Sequence, residues 1–350
     1  MPSTPRRILV DLCHPAHVHF FRNPIQLWRE AGHEVYMAAR DKDVALPLIR
    51  EFGLDCQSMG ASRSGIAGLA RELIQRDLAL FRFARQMKAE VITAIGGVFA
   101  AHAAFLSRIP AVVFYDTEIA KLQNAMTYPL ASRVAVPRCY ESWVPRRREL
   151  RYAGYHELSY LRPGRFQPDH GRALQAGLDA TRPTFLLRLV AWTANHDLGD
   201  SGLSIQRAQQ IVERLSAHGK VVISSETPLP DALREYQYTG MVSELHHLMA
   251  FCAGYFGESA TMASESAVLG VPAVYAAHSP RGYTNEQESR YGLVRNVRQL
   301  DATSVLAACD WLLAQDQTTC EAARAKLLAE TVDVAAFAAD TVLAAAAAGR

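Results

Sequence analysis

Short apolar runs alternate with helix-length stretches along almost the whole chain, and that alternation limits the folds open to it. Residues 8–12 (ILVDL) form the first run, broken only by Asp11, as a strand buried on both faces would be. The segment 13–19 (CHPAHVH) reads as a loop, 20–31 as a helix stopped by Gly32, and 33–39 as the next strand. Strand, loop, helix and strand within roughly 30 residues make a βαβ unit, and such units build parallel sheets. The pattern continues with a helix at 44–52, a long amphipathic helix at 69–88, a strand at 91–95 and a helix at 99–106. A strand at 110–115, a helix at 121–131 and a strand at 133–137 follow. The Gly-rich stretch 60–68 (GASRSGIAG) reads as a flexible loop able to cover a cleft. The carboxyl ends of the predicted strands carry His17, His19, Gly96, Gly97, Asp116 and Glu118. Ligands of open α/β sheets bind at that edge, so these residues form the first candidate wall of a site.

Regularity fails over 144–179, where Arg146, Arg147 and Arg148 are followed by scattered Tyr, Gly, Pro and His. This stretch reads as a linker between domains, its basic run a solvated face. Alternation then resumes with a strand at 185–190, a polar loop at 192–202 and a helix at 204–218 capped by Ser204. A strand at 221–224, a helix at 244–252, a helix at 300–313 and an alanine-rich helix at 335–347 complete the chain. At 350 residues, the pattern predicts two α/β, doubly wound, Rossmann-like domains, 1–160 and 161–350. The final helix is free to pack back on the first. Neither half carries a GxGxxG turn, which speaks against a dinucleotide enzyme.

A formal charge of +2 gives no electrostatic footprint for nucleic acid. Cys13, Cys56, Cys139, Cys252, Cys309 and Cys320 form no CxxC pair. Reduced thiols are therefore expected, not a zinc site or a disulfide framework. The basic start, MPSTPRR, leads into a strand-length run and lacks a signal-peptide core. No stretch approaches about 20 uninterrupted apolar residues, so no membrane-spanning helix is expected. The expected setting is cytoplasmic, with at most peripheral membrane contact.

The densest functional signal lies at 254–275 (GYFGESATMASESAVLGVPAVY). A short apolar run ends in Glu258-Ser259-Ala260-Thr261, a helix follows to Leu269, and Gly270-Val271-Pro272 stops it. Free N–H groups at such a helix start, together with the macrodipole, suit a phosphate. Glu265, one turn in, could accept hydrogen bonds from a sugar diol. The plain structural alternative is a βα turn capped by Ser259 or Thr261, with Glu265 on a solvated face.

Further residues group with these: Asp11 with Pro15-Ala16-His17-Val18-His19-Phe20-Phe21, then Asp116-Thr117-Glu118, then residues 154–161 (GYHELSYL). In the second half they are Arg188 with residues 192–197 (WTANHD), Ser224-Ser225-Glu226, His246-His247 and residues 261–265 (TMASE). Together they resemble a bacterial and archaeal family classed as a domain of unknown function within the GT-B superfamily. Ala16 departs from the family pattern, which has a second Pro there. The resemblance implies a GT-B-like fold, two Rossmann-like doubly wound domains facing across a cleft, with a nucleotide sugar held mainly by the C-terminal one. More distantly, the chain is similar to the inverting N-acetylglucosaminyltransferase that makes lipid II and to the non-hydrolysing UDP-N-acetylglucosamine 2-epimerase.

What the resemblance implies is a glycosyltransferase with a nucleotide-diphosphate sugar as co-substrate, no other cofactor and no metal. Its acceptor would be a glycan, a lipid-linked molecule or a protein, in surface polysaccharide or glycoconjugate synthesis. Arg188, His196, Ser225, Glu226, Ser259, Thr261 and Glu265 are the implied donor-site residues. Glu265 would hold the ribose hydroxyls, Ser259 and Thr261 would lie against the diphosphate, and Arg188 would clamp it. The base is sought among His17, His19, Asp116 and Glu118, with His17 first because an imidazole titrates near neutral pH. A nucleotide-sugar 2-epimerase and a non-catalytic nucleotide-sugar-binding protein stand as alternatives. His246-His247 lacks the spaced partners of a metal site and reads as paired with backbone.

Overall fold

The computed structural model describes residues 4–41, 45–61, 66–190, 202–225 and 227–349. The chain divides into two compact units, residues 1–160 with 332–350, and residues 161–331. In the first, β1 (Arg7–Leu12), α1 (Pro15–Glu30), β2 (Glu34–Asp41), α2 (Ala45–Glu51), β3 (Gln57–Ala61) and α3 (Ile66–Gln86) lead to β4 (Val91–Ile95). Then come α4 (Val98–Ser107), β5 (Ala111–Phe114), α5 (Lys121–Thr127), β6 (Arg133–Pro137), β7 (Glu149–Tyr152) and α6 (Leu158–Leu161). The strands form one parallel sheet in the order β3-β2-β1-β4-β5-β6-β7. The order reverses between β1 and β4, which makes the crevice beyond their carboxyl ends the ligand position of such a sheet. Ile8 to Leu12 of β1 are all buried. On one face α3 and α4 bury Leu80, Ala84, Ala100 and Ala104 with Leu9, Ala38 and Ile92.

Two expectations change here. The segment 13–19 is not a loop, because α1 starts at Pro15. His14 is its N-cap, its Nδ1 accepting the N–H of Ala16 at 3.2 Å, and Pro occupies a first-turn position whose N–H has no helical partner anyway. Nor is 144–179 a plain linker, since β7 and α6 lie within it. β7 (ELRY) is a four-residue edge strand with charged side chains and no apolar run to betray it. The block 154–161 is buried beneath α1, which it meets through Ser159 Oγ–H to the Phe20 carbonyl (2.6 Å), Asn23 to the Ser159 carbonyl (2.8 Å) and Arg22 to the Tyr160 carbonyl (3.0 Å). Within the Gly-rich stretch, β3 ends at Ala61 and α3 begins at Ile66, and 62–65 lie outside the described residues.

The second unit runs α7 (His170–Gln175), β8 (Thr184–Leu189), α8 (Ile205–Ser216), β9 (Lys220–Ser225), α9 (Leu245–Met249), β10 (Gly254–Gly257) and α10 (Ala260–Leu269). β11 (Ala273–Ala276), α11 (Gly282–Glu286), β12 (Val294–Val297), α12 (Ala302–Leu313) and α13 (Gln317–Ala329) follow, before α14 (Val334–Ala348) rejoins the first unit. Its sheet, also parallel, has the order β9-β8-β10-β11-β12 and reverses between β8 and β10. Phe185, Leu187, Ile211, Leu215, Phe256, Val274 and Leu312 form the core. Ser204 caps α8 as expected, its Oγ accepting the Arg207 N–H at 3.2 Å. The stretch Gln317–Ala348 has the length and hydropathy of a membrane span, but it is two helices broken near Thr331, and half of the apolar window is buried in the protein.

Candidate functional site

Beyond the carboxyl ends of β4 and β5, and beside the β1 turn, lies a cavity of about 380 Å³ whose lining includes Cys13, His17, Gly96, Gly97, Asp116 and Gln123. Gly96 and Gly97 take φ of 70° and 59°. A Cβ on Gly97 would also stand 2.5 Å from Val113 Cγ1, so neither conformation nor space admits a side chain there. From Gly97, α4 starts without a side-chain cap. Val98 and Phe99 of its first turn line the cavity, and N–H groups in a first turn have no carbonyl one turn back.

After β1, the backbone N–H of Cys13 donates to His17 Nδ1 at 3.2 Å. Behind it, Arg76 donates to Asp11 Oδ1 at 2.8 Å and to the Cys13 sulfur at 3.2 Å. Arg76 is 2% exposed and Asp11 0%, so α3 is tied to β1 by a fully buried ion pair. After β5, the Thr117 hydroxyl donates to Asp116 Oδ1 at 3.0 Å, and His156 Nδ1 lies 3.1 Å from Asp116 Oδ2. Burial pushes the His17 imidazole from 6.5 down to about 3, helped by His14, His156 and Arg76 and opposed by Asp116. The ring is neutral at neutral pH.

Of the four candidate bases, His17 and Asp116 line the cavity. His19 does not. Two residues along a helix is a rotation of about 200°, and its ring packs instead on Tyr160 and Phe52, with centroids 5.3 and 5.5 Å away. Glu118 follows the turn and is absent from the lining, while its carbonyl accepts the Ser142 hydroxyl at 3.1 Å. His156, not among the candidate bases, reaches Asp116 because the block 154–161 is folded under α1. Its only sequence signal was its place in that block.

In the second unit, β8 ends near Arg188, whose Nη1 donates to Ser224 Oγ at 2.8 Å. Ser259 Oγ accepts the Met262 N–H at 3.3 Å as the N-cap of α10, which realises the plain capping alternative for this residue. Thr261 lies half-buried in the first turn. Glu265 is on no solvated face: it is 5% exposed, and its Oε1 pairs with His246 Nε2 at 2.9 Å. Neighbouring His247 accepts the backbone N–H of Asp169 on Nδ1 at 3.0 Å. Ser225 Oγ accepts the Thr227 N–H at 3.3 Å. His196 and Glu226 lie outside the described residues.

Sequence reading missed Glu258. Its carboxylate accepts the N–H of Val190 at 2.9 Å and of Leu203 at 2.7 Å, joining the end of β8 to the approach of α8. Burial raises its carboxyl above the usual range, while those two bonds and Arg188 oppose the rise. Gly202 passes so close that any Cβ there would collide with the carboxylate. Among the described residues no group of three or more His, Cys, Asp or Glu is gathered as a metal would require.

The UDP-GlcNAc 2-epimerase of Methanocaldococcus jannaschii matches this structure with a TM-score of 0.66 at 11% identity, over 89% of this chain and 94% of that one. The glycosyltransferase SsfS6 of Streptomyces sp. SF2575 matches with a TM-score of 0.59 at 15% identity, over 94% and 97%. With its two parallel α/β units, the chain has the GT-B-like fold of these proteins. Among curated sequences, the uncharacterized protein MJ0665 of M. jannaschii is 22% identical over 276 residues, 76% of this chain and 80% of its own length. Residues 6–283 match the protein family of unknown function DUF354, and the chain belongs to that family.

Proposed function

We propose that the chain is a GT-B glycosyltransferase that moves a sugar from a nucleoside-diphosphate donor to an acceptor hydroxyl. The observation that supports this most is the cavity of the first unit, where Asp116 is the one carboxylate among the described lining residues and His17 stands in the same lining. Transfer needs a base for the acceptor and charge stabilisation for the departing diphosphate. Asp116 answers the first need. In the second unit, Arg188 and the N–H groups that open α10 answer the other. Ser259 and Glu265 are already engaged within the fold, so in this reading they shape the donor site more than they bind. The structural neighbours named for UDP-GlcNAc supply the first donor to try.

An epimerase that eliminates and re-adds the nucleotide needs two acid–base groups around the sugar. The described lining supplies Asp116 and His17, and transfer asks only one of them to act as a base. Incubation of the purified protein with UDP-GlcNAc and related donors, with and without a panel of hydroxyl acceptors, tests the reading. Acceptor-dependent release of nucleoside diphosphate supports it. Formation of an epimer without acceptor would sink it, and donor binding with no turnover would leave a non-catalytic binding protein.

A further inference from the structure

We infer that Asp116 is the base of the first-unit cavity, that buried His156 aims it, and that His17 serves there as a hydrogen-bond donor and not as a base. The reaction assumed is the transfer just proposed, but the ring states required are properties of the fold alone.

The tautomer of His17 turns on one lone pair. The N–H of Cys13 occupies Nδ1 of His17. A neutral imidazole carries a single proton, which must then sit on Nε2 and make that atom a donor. To act as a base at Nε2, the ring would have to carry its proton on Nδ1, setting two N–H groups against each other. The imidazolium would do the same, and burial, His14, His156 and Arg76 all disfavour it.

Asp116 has the opposite character. The Thr117 hydroxyl donates to one of its oxygens, and His156 Nδ1 lies 3.1 Å from the other, while the residue itself lines the cavity. His156 is 6% exposed, its ring packs on Phe20 with centroids 4.7 Å apart, and its Nε2 has no partner among the described residues. Leaving a buried polar atom unpaired is costly, so the position of this ring calls for a compensating contact. Its Nδ1 lies 3.1 Å from Asp116 Oδ2, so the inferred tautomer, with the proton on Nδ1, gives the ring its one polar partner. A serine-protease triad uses a carboxylate to orient an imidazole that meets substrate; here the imidazole is behind and the carboxylate meets the cavity. Among the described residues, the titratable groups facing Asp116 include His156, His17, Tyr140 and Tyr152, and those facing His17 include His14, His156, Asp116 and Arg76.

In the step itself, the acceptor hydroxyl gives its proton to Asp116 as its oxygen bonds to the anomeric carbon. The bond from that carbon to the diphosphate oxygen breaks, and the electron pair leaves with the diphosphate. Asp116 then releases the proton to water. Nε2–H of His17 holds an acceptor oxygen in place throughout.

Long-range proton–nitrogen NMR of the full chain, with rings assigned through H17Q and H156N, tests this without turnover. His17 should be neutral and protonated on Nε2 from about pH 5 to about pH 8, and His156 protonated on Nδ1. A titration of His17 in that range, a proton on its Nδ1, or a bare Nδ1 on His156 would overturn the assignment whatever the reaction is. Kinetics use UDP release from UDP-GlcNAc with the panel of hydroxyl acceptors, water included. H17Q, which keeps an N–H near the Nε2 position, should hold kcat within about tenfold, while H17A loses about a hundredfold and D116N about a thousandfold. Equal abolition by H17Q and H17A would return the base to His17. H156N keeps a donor toward Asp116 and the wild-type pH profile. H156F removes it and moves the acid limb of kcat/KM to higher pH, because the carboxylate loses a bond that favours its charged form. An unshifted limb would reduce His156 to packing. No UDP release by the wild type would count against the transferase reading and leave the NMR result to decide the ring states.

Discussion

His102 on α4 bonds through Nδ1 to Asp77 Oδ2 on α3 at 2.7 Å, and that bond holds the imidazole above its usual 6.5 while burial opposes it. A histidine raised by its partner adds stability that is fully present below about pH 6.5 and is lost as pH rises through the folded value. His102→Gln should therefore cost about 1 kcal/mol more near pH 6 than near pH 9. Urea unfolding at the two pH values checks this, and an equal cost at both would mean that the ring does not change charge between them. His17 has the opposite sign: with its ring lowered to about 3, its contribution is present above pH 6.5 and lost as pH falls through the folded value. Residues of this kind are unevenly legible. Asp116 could be placed from sequence because it ends an apolar strand, and strand ends define the ligand edge. His17 and His19 could not be told apart while 13–19 read as a loop; the helix start at Pro15 puts them on different faces. His156 was out of reach because its partner lies 40 positions away in sequence, across a fold contact.

Elements show the same division for a different reason. The strands predicted at 91–95 and 133–137 coincide with β4 and β6, since interior strands of a parallel sheet must be apolar on both faces. β7 (ELRY) and β12 (VRNV) lie at sheet edges, carry charged or polar residues and left no comparable pattern. The turn from β10 into α10 is legible in sequence as strand, cap and helix, and Ser259 does cap it. The role of its neighbour Glu258 depends on where Val190 and Leu203 are brought in space, which no local pattern reports. Glu258→Ala would strand both N–H groups and should cost about 2–4 kcal/mol, at about 1–2 kcal/mol for each. Glu258→Gln keeps one carbonyl acceptor and should fall between. Hydrogen exchange at the Val190 and Leu203 amides reads the effect directly. Unchanged protection in the Ala variant would mean that the carboxylate does not hold these segments.

At the scale of the whole molecule, the chain leaves the second unit and finishes in the first, where α14 lies against α1, β4 and β5. Alanine over most of its length leaves little apolar contrast between faces, so sequence left both units open as its partner. Val334, Ala335, Ala338, Ala339, Val342 and Ala346 are buried, the Ala339 carbonyl accepts the Trp28 indole N–H at 3.2 Å, and Asp333 caps the helix. Ending the chain at Thr331 would expose that surface together with Trp28. Two valines at about 2 kcal/mol each, with the alanines and the Trp28 bond, exceed 5 kcal/mol, which is on the order of a domain's whole stability. The shortened protein should therefore lose the calorimetric transition of the first unit and bind a dye for exposed apolar surface. The second unit, residues 161–331, keeps Arg188 and α10, so its transition should survive and still rise with UDP by mass action if the donor site is there. Two unchanged transitions after truncation would show that α14 does not hold the first unit together. Loss of both would show that the second unit cannot fold without the first.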